Sequence, residues 1–207
     1  MARRTKEEAE QTRNNLIDAA EKLFSEQGVA HTTLNDIARE AGVTRGAVYW
    51  HFRNKNELFE AMHQRVTLPF EQLLALLEDH PEGCPLHELE QICVQVLLDV
   101  AADARRQQVL TILFIKCEYT EEMRPAQERL IELCRPIGER LATLFEKAHA
   151  AGMLQEGVNP RSAASGLMLY LHGILSGWVF DPTRFPMAEE APELLALFLR
   201  NIIAPRK

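Results

Sequence analysis

Apolar residues recur along this chain at spacings of three and four, the period of a helix with one buried face. Leu16, Ala20, Leu23 and Phe24 mark the first such stretch. Thr5-Lys6-Glu7-Glu8 has the form of a capping box before it, and Gly28 stands where a helix ends in a left-handed residue. Thr33-Leu34-Asn35-Asp36 opens a short second helix that stops at Gly42, and Thr44 caps a third that ends near Phe52. Asn54-Lys55-Asn56-Glu57 is another cap signature, opening a long fourth helix through Leu76 or Leu77. Pro69 is expected to kink it, because proline lacks a backbone donor and crowds the preceding turn. After the loop Pro81-Glu82-Gly83-Cys84-Pro85, helical patterns cover 86–102, 105–117, 124–151, 160–180 and 189–203. Asn159-Pro160 supplies both a cap and a proline at the first helical position. No period-two alternation with turn punctuation occurs, so the expected fold is all-α with nine helices.

Residues 33–55 carry the most information. Two short helices flank a tight turn at Ala41-Gly42-Val43. Ile37 and Val48 are spaced to pack the pair together, Ala38 is small where they approach, and Gly42 allows the left-handed turn. This is the pattern of a helix-turn-helix, whose second helix enters the major groove of DNA. That helix is Arg45-Gly46-Ala47-Val48-Tyr49-Trp50-His51-Phe52. Val48 and Phe52 form its inner face, while Arg45 and Tyr49 lie outside. Gly46 and Ala47 let the backbone come near the duplex, and Thr44 caps the helix at its DNA end. Arg45 can grip a guanine or a phosphate. Tyr49 and Trp50 can pack on sugar or thymine methyl groups. His51 and Lys55 are expected phosphate donors, and Thr33 offers a hydroxyl and nearby amides. The basic leader Arg3, Arg4 and Lys6 could reach an adjacent groove. The competing reading, a helical hairpin with exposed aromatics, explains the Tyr-Trp-His run beside Arg and Lys less well.

Composition modifies this picture in one respect. The net charge of −7 argues at first against nucleic acid, but it is unevenly spread. Residues 1–66 hold ten basic and ten acidic side chains, so the whole deficit lies in residues 67–207. A neutral head on an acidic body binds DNA if its cations cluster on one face. The expected division is a DNA-binding domain at 1–54 and a second domain at 55–207. No apolar run approaches the eighteen or so residues of a membrane helix. The amino terminus leads into Glu7 and Glu8 rather than an apolar signal core. A cytoplasmic protein with no membrane partner is therefore expected, with Cys84, Cys93, Cys117 and Cys134 as reduced thiols.

Thr32-Thr33-Leu34, Ile37-Ala38, the run from Ala41 to Phe52 and Asn54-Lys55 resemble the amino-terminal signature of the TetR family of repressors, near-continuously over residues 10–65. The leader Arg3-Arg4-Thr5-Lys6-Glu7-Glu8-Ala9 and the later Lys116-Cys117-Glu118-Tyr119-Thr120 resemble the AcrR- and TtgR-like subgroup that represses multidrug efflux pumps. The resemblance implies a three-helix head on a helical ligand-binding and dimerisation body. It further implies a homodimer on a palindromic double-stranded DNA operator, released by a lipophilic small-molecule inducer. The family's ligand cavity is built from the central helices. By that resemblance Ile92, Val96, Leu110, Phe114, Met168 and Leu169 are candidate walls, with Thr111, His172 and Ser176 as polar groups. Plain core packing competes for each apolar one.

The last two helices are expected to form the dimer interface, through Ala163, Gly166, Leu167, Tyr170, Gly173, Ile174 and Gly177 on one and Leu194, Leu195, Leu197, Phe198 and Ile202 on the other. His80, Cys84, His87 and Cys93 match no zinc spacing. The chain has no Gly-rich phosphate loop, nucleophile elbow or His-Glu-x-x-His, so neither an enzyme nor a cofactor is expected. The alternatives are a thiol-redox regulator of the same fold, a small helical enzyme using His172 or a cysteine, and an activator.

Overall fold

The computed structural model describes residues 6–78 and 86–204, without the side chains of Glu78 and His87. Arg3, Arg4, the residue Thr5 of the expected capping box, His80 and Cys84 lie outside the described residues. Among the described residues there are ten α-helices and no strand: α1 (Lys6–Gln27), α2 (Leu34–Glu40), α3 (Arg45–His51), α4 (Lys55–His63), α5 (Pro69–Glu78), α6 (Leu86–Ala102), α7 (Ala104–Thr111), α8 (Arg124–Ala150), α9 (Pro160–Phe180) and α10 (Met187–Arg200). The all-α class is as expected. The count is ten because the expected fourth helix is two helices. Instead of running through Pro69 with a kink, the chain stops at His63, turns, and restarts with Pro69 at the first helical position. The Leu68 amide is satisfied by the Glu71 carboxylate at 2.8 Å. The preceding turn is pinned by Arg65, which donates to the Asn14 carbonyl at 3.0 Å and side-chain oxygen at 2.6 Å and pairs with Asp18.

The chain forms two compact units, Met1–Thr67 with Gln108–Arg129, and Leu68–Gln107 with Leu130–Lys207. The first differs from the expected domain 1–54 for two reasons. Leu58, Phe59 and Met62 of α4 are fully buried, with the Phe59 ring 6.1 Å from that of Phe24 in α1. The segment after α7 also belongs to it. There the chain widens into a π-helical turn at Ile112–Lys116, extends at Cys117 and makes a 3-10 turn at Glu121–Met123. The Val29 amide donates to the Lys116 carbonyl at 2.9 Å. The Asn56 amide group donates to the Glu122 carbonyl at 2.7 Å. Leu16, Ile17, Ala20 and Phe24 are the buried stripe of α1, as their spacing requires.

The second unit buries Leu73 and Leu77 of α5, Leu89, Cys93 and Leu97 of α6, Ile137, Leu141 and Phe145 of α8, and the inner faces of α9 and α10. The two last helices lock together inside the chain. Phe198 stacks on Tyr170 with centroids 5.1 Å apart, and a Cβ at Gly166 would meet the Phe198 ring at 3.3 Å. The Tyr170 hydroxyl donates to the Leu194 carbonyl at 2.9 Å. By length and composition α9 is apolar enough to cross a membrane, contrary to the sequence expectation. Its stripe of Leu167, Leu171, Ile174, Leu175, Trp178 and Val179 is buried within the unit, which accounts for that apolarity as core packing.

Candidate DNA-binding head

Local caps fix the head. Thr33 accepts from the Asp36 amide at 3.2 Å, and the Asp36 carboxylate accepts from the Thr33 amide at 3.1 Å, a complete capping box on α2. The Thr33 and Arg39 bonds hold the Asp36 carboxyl below its ordinary pKa. Gly42 turns the chain at φ +67°, which would strain any other residue, and the Val43 amide returns to the Ala38 carbonyl at 2.9 Å. Thr44 caps α3 by accepting from the Ala47 amide at 3.3 Å. Ile37, Ala38, Val48 and Phe52 are all buried, so the inward face of α3 is fixed.

The outward face follows from that. Arg45, Gly46, Tyr49 and Trp50 are exposed, Trp50 at 73%. Side chains of that size rarely stand in solvent on so short a helix without a partner. The Arg45 guanidinium lies 5.4 Å from the Tyr49 ring centroid and donates to its hydroxyl at 3.3 Å, which holds the cation forward. The ring of Trp50 meets His51 edge-on at 4.5 Å. Thr33, Arg45, Tyr49, Arg53, Asn54 and Glu122 are among the residues that surround a concavity of about 440 Å³. Ala47, Trp50 and His51 face a second groove of about 650 Å³ beside Glu8, Gln11 and Thr12 of α1.

His51 is half-buried, and burial, followed by the nearby Arg13 charge and opposed by Glu10, lowers its pKa below 6.5. The folded head therefore favours neutral His51 and protonation favours unfolding. This contribution to stability is present above the unfolded pKa and lost as pH falls through the lower folded one. Thermal melts between pH 7.5 and pH 5.5 should lose a shallow component in His51→Gln. Parallel curves for the two proteins would exclude His51 as its source.

Lys55 differs from expectation. Rather than standing free for a phosphate, its side chain is buried. Its ammonium donates to the Val29 carbonyl at 3.0 Å and the Thr32 carbonyl at 3.4 Å, and pairs with Glu122 at 3.2 Å. The partners come from segments far apart in sequence, so spacing alone could not reveal them. Arg53, with an 88% exposed side chain 3.7 Å from Glu57, is a cation at the concavity that the sequence reading passed over. Its place directly after α3 was the available signal.

The candidate ligand residues separate. Val96 and Leu110 are buried, and Ile92, Thr111, Phe114, Met168 and Ser176 are half-buried. Leu169, at 72% exposure, and His172 are exposed and line no interior wall. The reason is helical phase: the buried stripe of α9 fixes Leu169 and His172 on the opposite side, with Ser176 half-buried one turn further along. By the same phase Ala163, Leu167 and Ile174, expected at a dimer interface, are inside the unit. The sequence reading also missed a partly buried polar cluster. Gln72 of α5 donates to Asp99 of α6 and accepts from Arg106 of α7 at 2.7 Å.

Two short helices about a glycine turn, with an exposed Arg-Tyr-Trp face on the second, define a helix-turn-helix DNA-binding regulator. Residues 16–62 match the profile of bacterial regulatory proteins of the tetR family, and residues 84–203 that of the MAATS-type transcriptional repressor C-terminal region. The chain belongs to the TetR family of transcriptional regulators. It is 36% identical to the HTH-type transcriptional regulator AcrR of Shigella flexneri, over 96% of this chain and 93% of that protein. NalD, the secondary repressor of the MexAB-OprM multidrug efflux pump in Pseudomonas aeruginosa, superposes with a TM-score of 0.88 at 39% identity, over 97% of this chain and all of the other. SmeT in complex with triclosan superposes at 0.77 with 32% identity, over 94% of this chain and 92% of the other. SmeT is the repressor of the Stenotrophomonas maltophilia multidrug efflux pump SmeDEF.

Proposed function

We propose that this chain is a homodimeric repressor that binds a near-palindromic operator, controls a multidrug efflux pump and is released by lipophilic compounds. The observation that carries the DNA reading is the exposed Arg45, Tyr49 and Trp50 on a helix whose Val48 and Phe52 are buried. Thr33, Thr44 and Gly46 supply hydroxyls, amides and close backbone approach, and His51 a ring N–H. Lys55 joins them only if its present partners yield. Control of an efflux pump is supported by the roles named for NalD and SmeT, and release by a lipophilic compound by the SmeT complex with triclosan. The protein works in the cytoplasm, where its operator lies, and performs no catalysis.

Helical phase supports α9 as a dimer face. Its open side carries Ser162, Ser165, Leu169, His172, Gly173 and Phe180, its one charged residue is Arg161 in the first turn, paired with Glu146, and Leu197 of α10 is also exposed. In the second unit, Ile92, Val96 and Met168 remain the candidate apolar contacts of an inducer, and the Gln72–Asp99–Arg106 cluster is a source of polar ones. The inducer must bind the state that does not hold DNA more tightly, or no release follows. A preference of about tenfold per subunit, or about 1.4 kcal/mol, releases a repressor working near its midpoint. A footprint on the gene's own upstream DNA, repeated with triclosan and other lipophilic compounds, tests this. Protection that no compound in the panel relieves would remove the inducer reading.

The thiol-redox alternative is disfavoured by the cysteine surroundings. Burial, against a smaller opposing Tyr119 bond, pushes the Cys117 thiol up to about 11. Burial and the Glu71 charge raise that of Cys134, and Cys93 is fully buried. Since the thiolate is the reactive form, Cys117 offers under about one part in a thousand of it near neutral pH. In a Cys84→Ser background, iodoacetamide near neutral pH should leave all three unmodified while a cysteine peptide reacts fully. DNA release by mild peroxide, reversed by added thiol, would restore the redox reading.

A further inference from the structure

We propose that Glu122 is a counter-charge that competes with a DNA phosphate for Lys55 and so weakens the grip of each head on DNA. This rests on the DNA-binding reading of the head given above. An ammonium has three N–H donors. Those of Lys55 meet the Val29 carbonyl at 3.0 Å, the Thr32 carbonyl at 3.4 Å and the Glu122 carboxylate at 3.2 Å. No donor is left for a phosphate until one acceptor departs. The two carbonyls belong to the backbone after α1, where the Thr32 hydroxyl is itself anchored on the Gly28 carbonyl at 2.7 Å. The Glu122 side chain is 62% exposed and is the one acceptor free to rotate away.

Its surroundings fit exchange with an anion. Glu122 lines the same concavity as Thr33, Arg45, Tyr49 and Asn54, so its carboxylate projects negative charge where a phosphate would seat. Its backbone is tethered separately, since its carbonyl accepts from Asn56 at 2.7 Å. The carboxylate can leave Lys55 while the segment stays in place. The neighbouring Glu121 is also exposed, but it pairs with Arg124 and does not line the concavity. Neutralising Glu121 removes the same formal charge without freeing Lys55.

The full-length protein, as wild type, Glu122→Gln and Glu121→Gln, is titrated onto a fluorescein-labelled duplex of random sequence at several KCl concentrations. Glu122→Gln should bind about three- to tenfold tighter at low salt, with a log K against log salt slope steeper by about one unit per head, because each freed Lys55 neutralises one more phosphate. Glu121→Gln should keep the wild-type slope. Equal shifts in both variants would mean a general charge effect and overturn the proposal, as would no shift in either. Wild-type protein that binds neither this duplex nor its own upstream DNA would fail earlier, at the DNA reading itself.

Discussion

Leu169→Glu should convert the protein from a dimer to a monomer and lower operator affinity by about a hundredfold or more. Leu169 stands 72% exposed in the middle of the open face of α9, whose one charged residue is Arg161 in the first turn, with Phe180 at 73% and Leu197 at 51% also in solvent. Within one chain the change costs little, because the side chain has no interior to leave. Across a two-fold interface it buries two carboxylates without partners, and each carries a desolvation penalty of several kcal/mol. The loss on DNA follows from geometry. Two linked heads engage two half-sites, and the second engagement is intramolecular, adding about 10²–10⁴ in avidity that a monomer lacks. Sedimentation at micromolar concentration and titration onto the operator measure the two effects, while far-ultraviolet circular dichroism should be unchanged. A Leu169→Glu dimer that still binds operator would place the interface on another surface.

The head was largely legible because its determinants are local. Thr33, Thr44 and Asn54 each cap the helix that follows them, at distances read directly from spacings of three residues. Gly42 has the positive φ that its place between two short helices demands. Phase also predicted that Val48 and Phe52 point in while Arg45 and Tyr49 point out. What escaped was set by contacts between distant segments. Nothing near Lys55 in sequence announces the carbonyls of Val29 and Thr32 or the carboxylate of Glu122. The residues from 108 to 129 join the head by packing and hydrogen bonding on α1 and α4, which no periodicity encodes.

The body was legible as helices and not as faces. An almost wholly apolar α9 offers several stripes to the eye, and its small residues suggested a close dimer contact. Phe198 fills the space that Gly166 leaves, so that small residue serves packing within the chain. Leu169 and His172 then fall outside, and their candidacy as cavity walls passes to a surface role. The break between α4 and α5 shows a similar ambiguity. A proline inside a helical pattern kinks one helix or starts another, and here the capping of Leu68 by Glu71 decides for the second.

Arg45→Ala should cost the operator complex about 2–6 kcal/mol when both heads are changed, about thirtyfold to beyond ten-thousandfold in affinity. Arg45 opens α3, is exposed, and is held against the Tyr49 ring at 5.4 Å with a bond to its hydroxyl at 3.3 Å. This arrangement fixes the planar fork before DNA arrives, so little side-chain freedom remains to be lost on binding. A bidentate grip on guanine is worth about 1–3 kcal/mol of discrimination per head. A phosphate contact would give less, and would give it on every duplex alike. Arg45→Lys separates the two roles, because it keeps the charge and loses both the fork and the stack on Tyr49. The lysine variant should hold random-sequence DNA nearly as well as wild type and lose most of its preference for the operator. Tyr49→Phe should lie between, since it keeps the ring beneath the guanidinium and removes only the hydroxyl acceptor. Equal losses on operator and random duplex for Arg45→Ala would assign the residue to the backbone, and unchanged affinity on both would take α3 out of the interface.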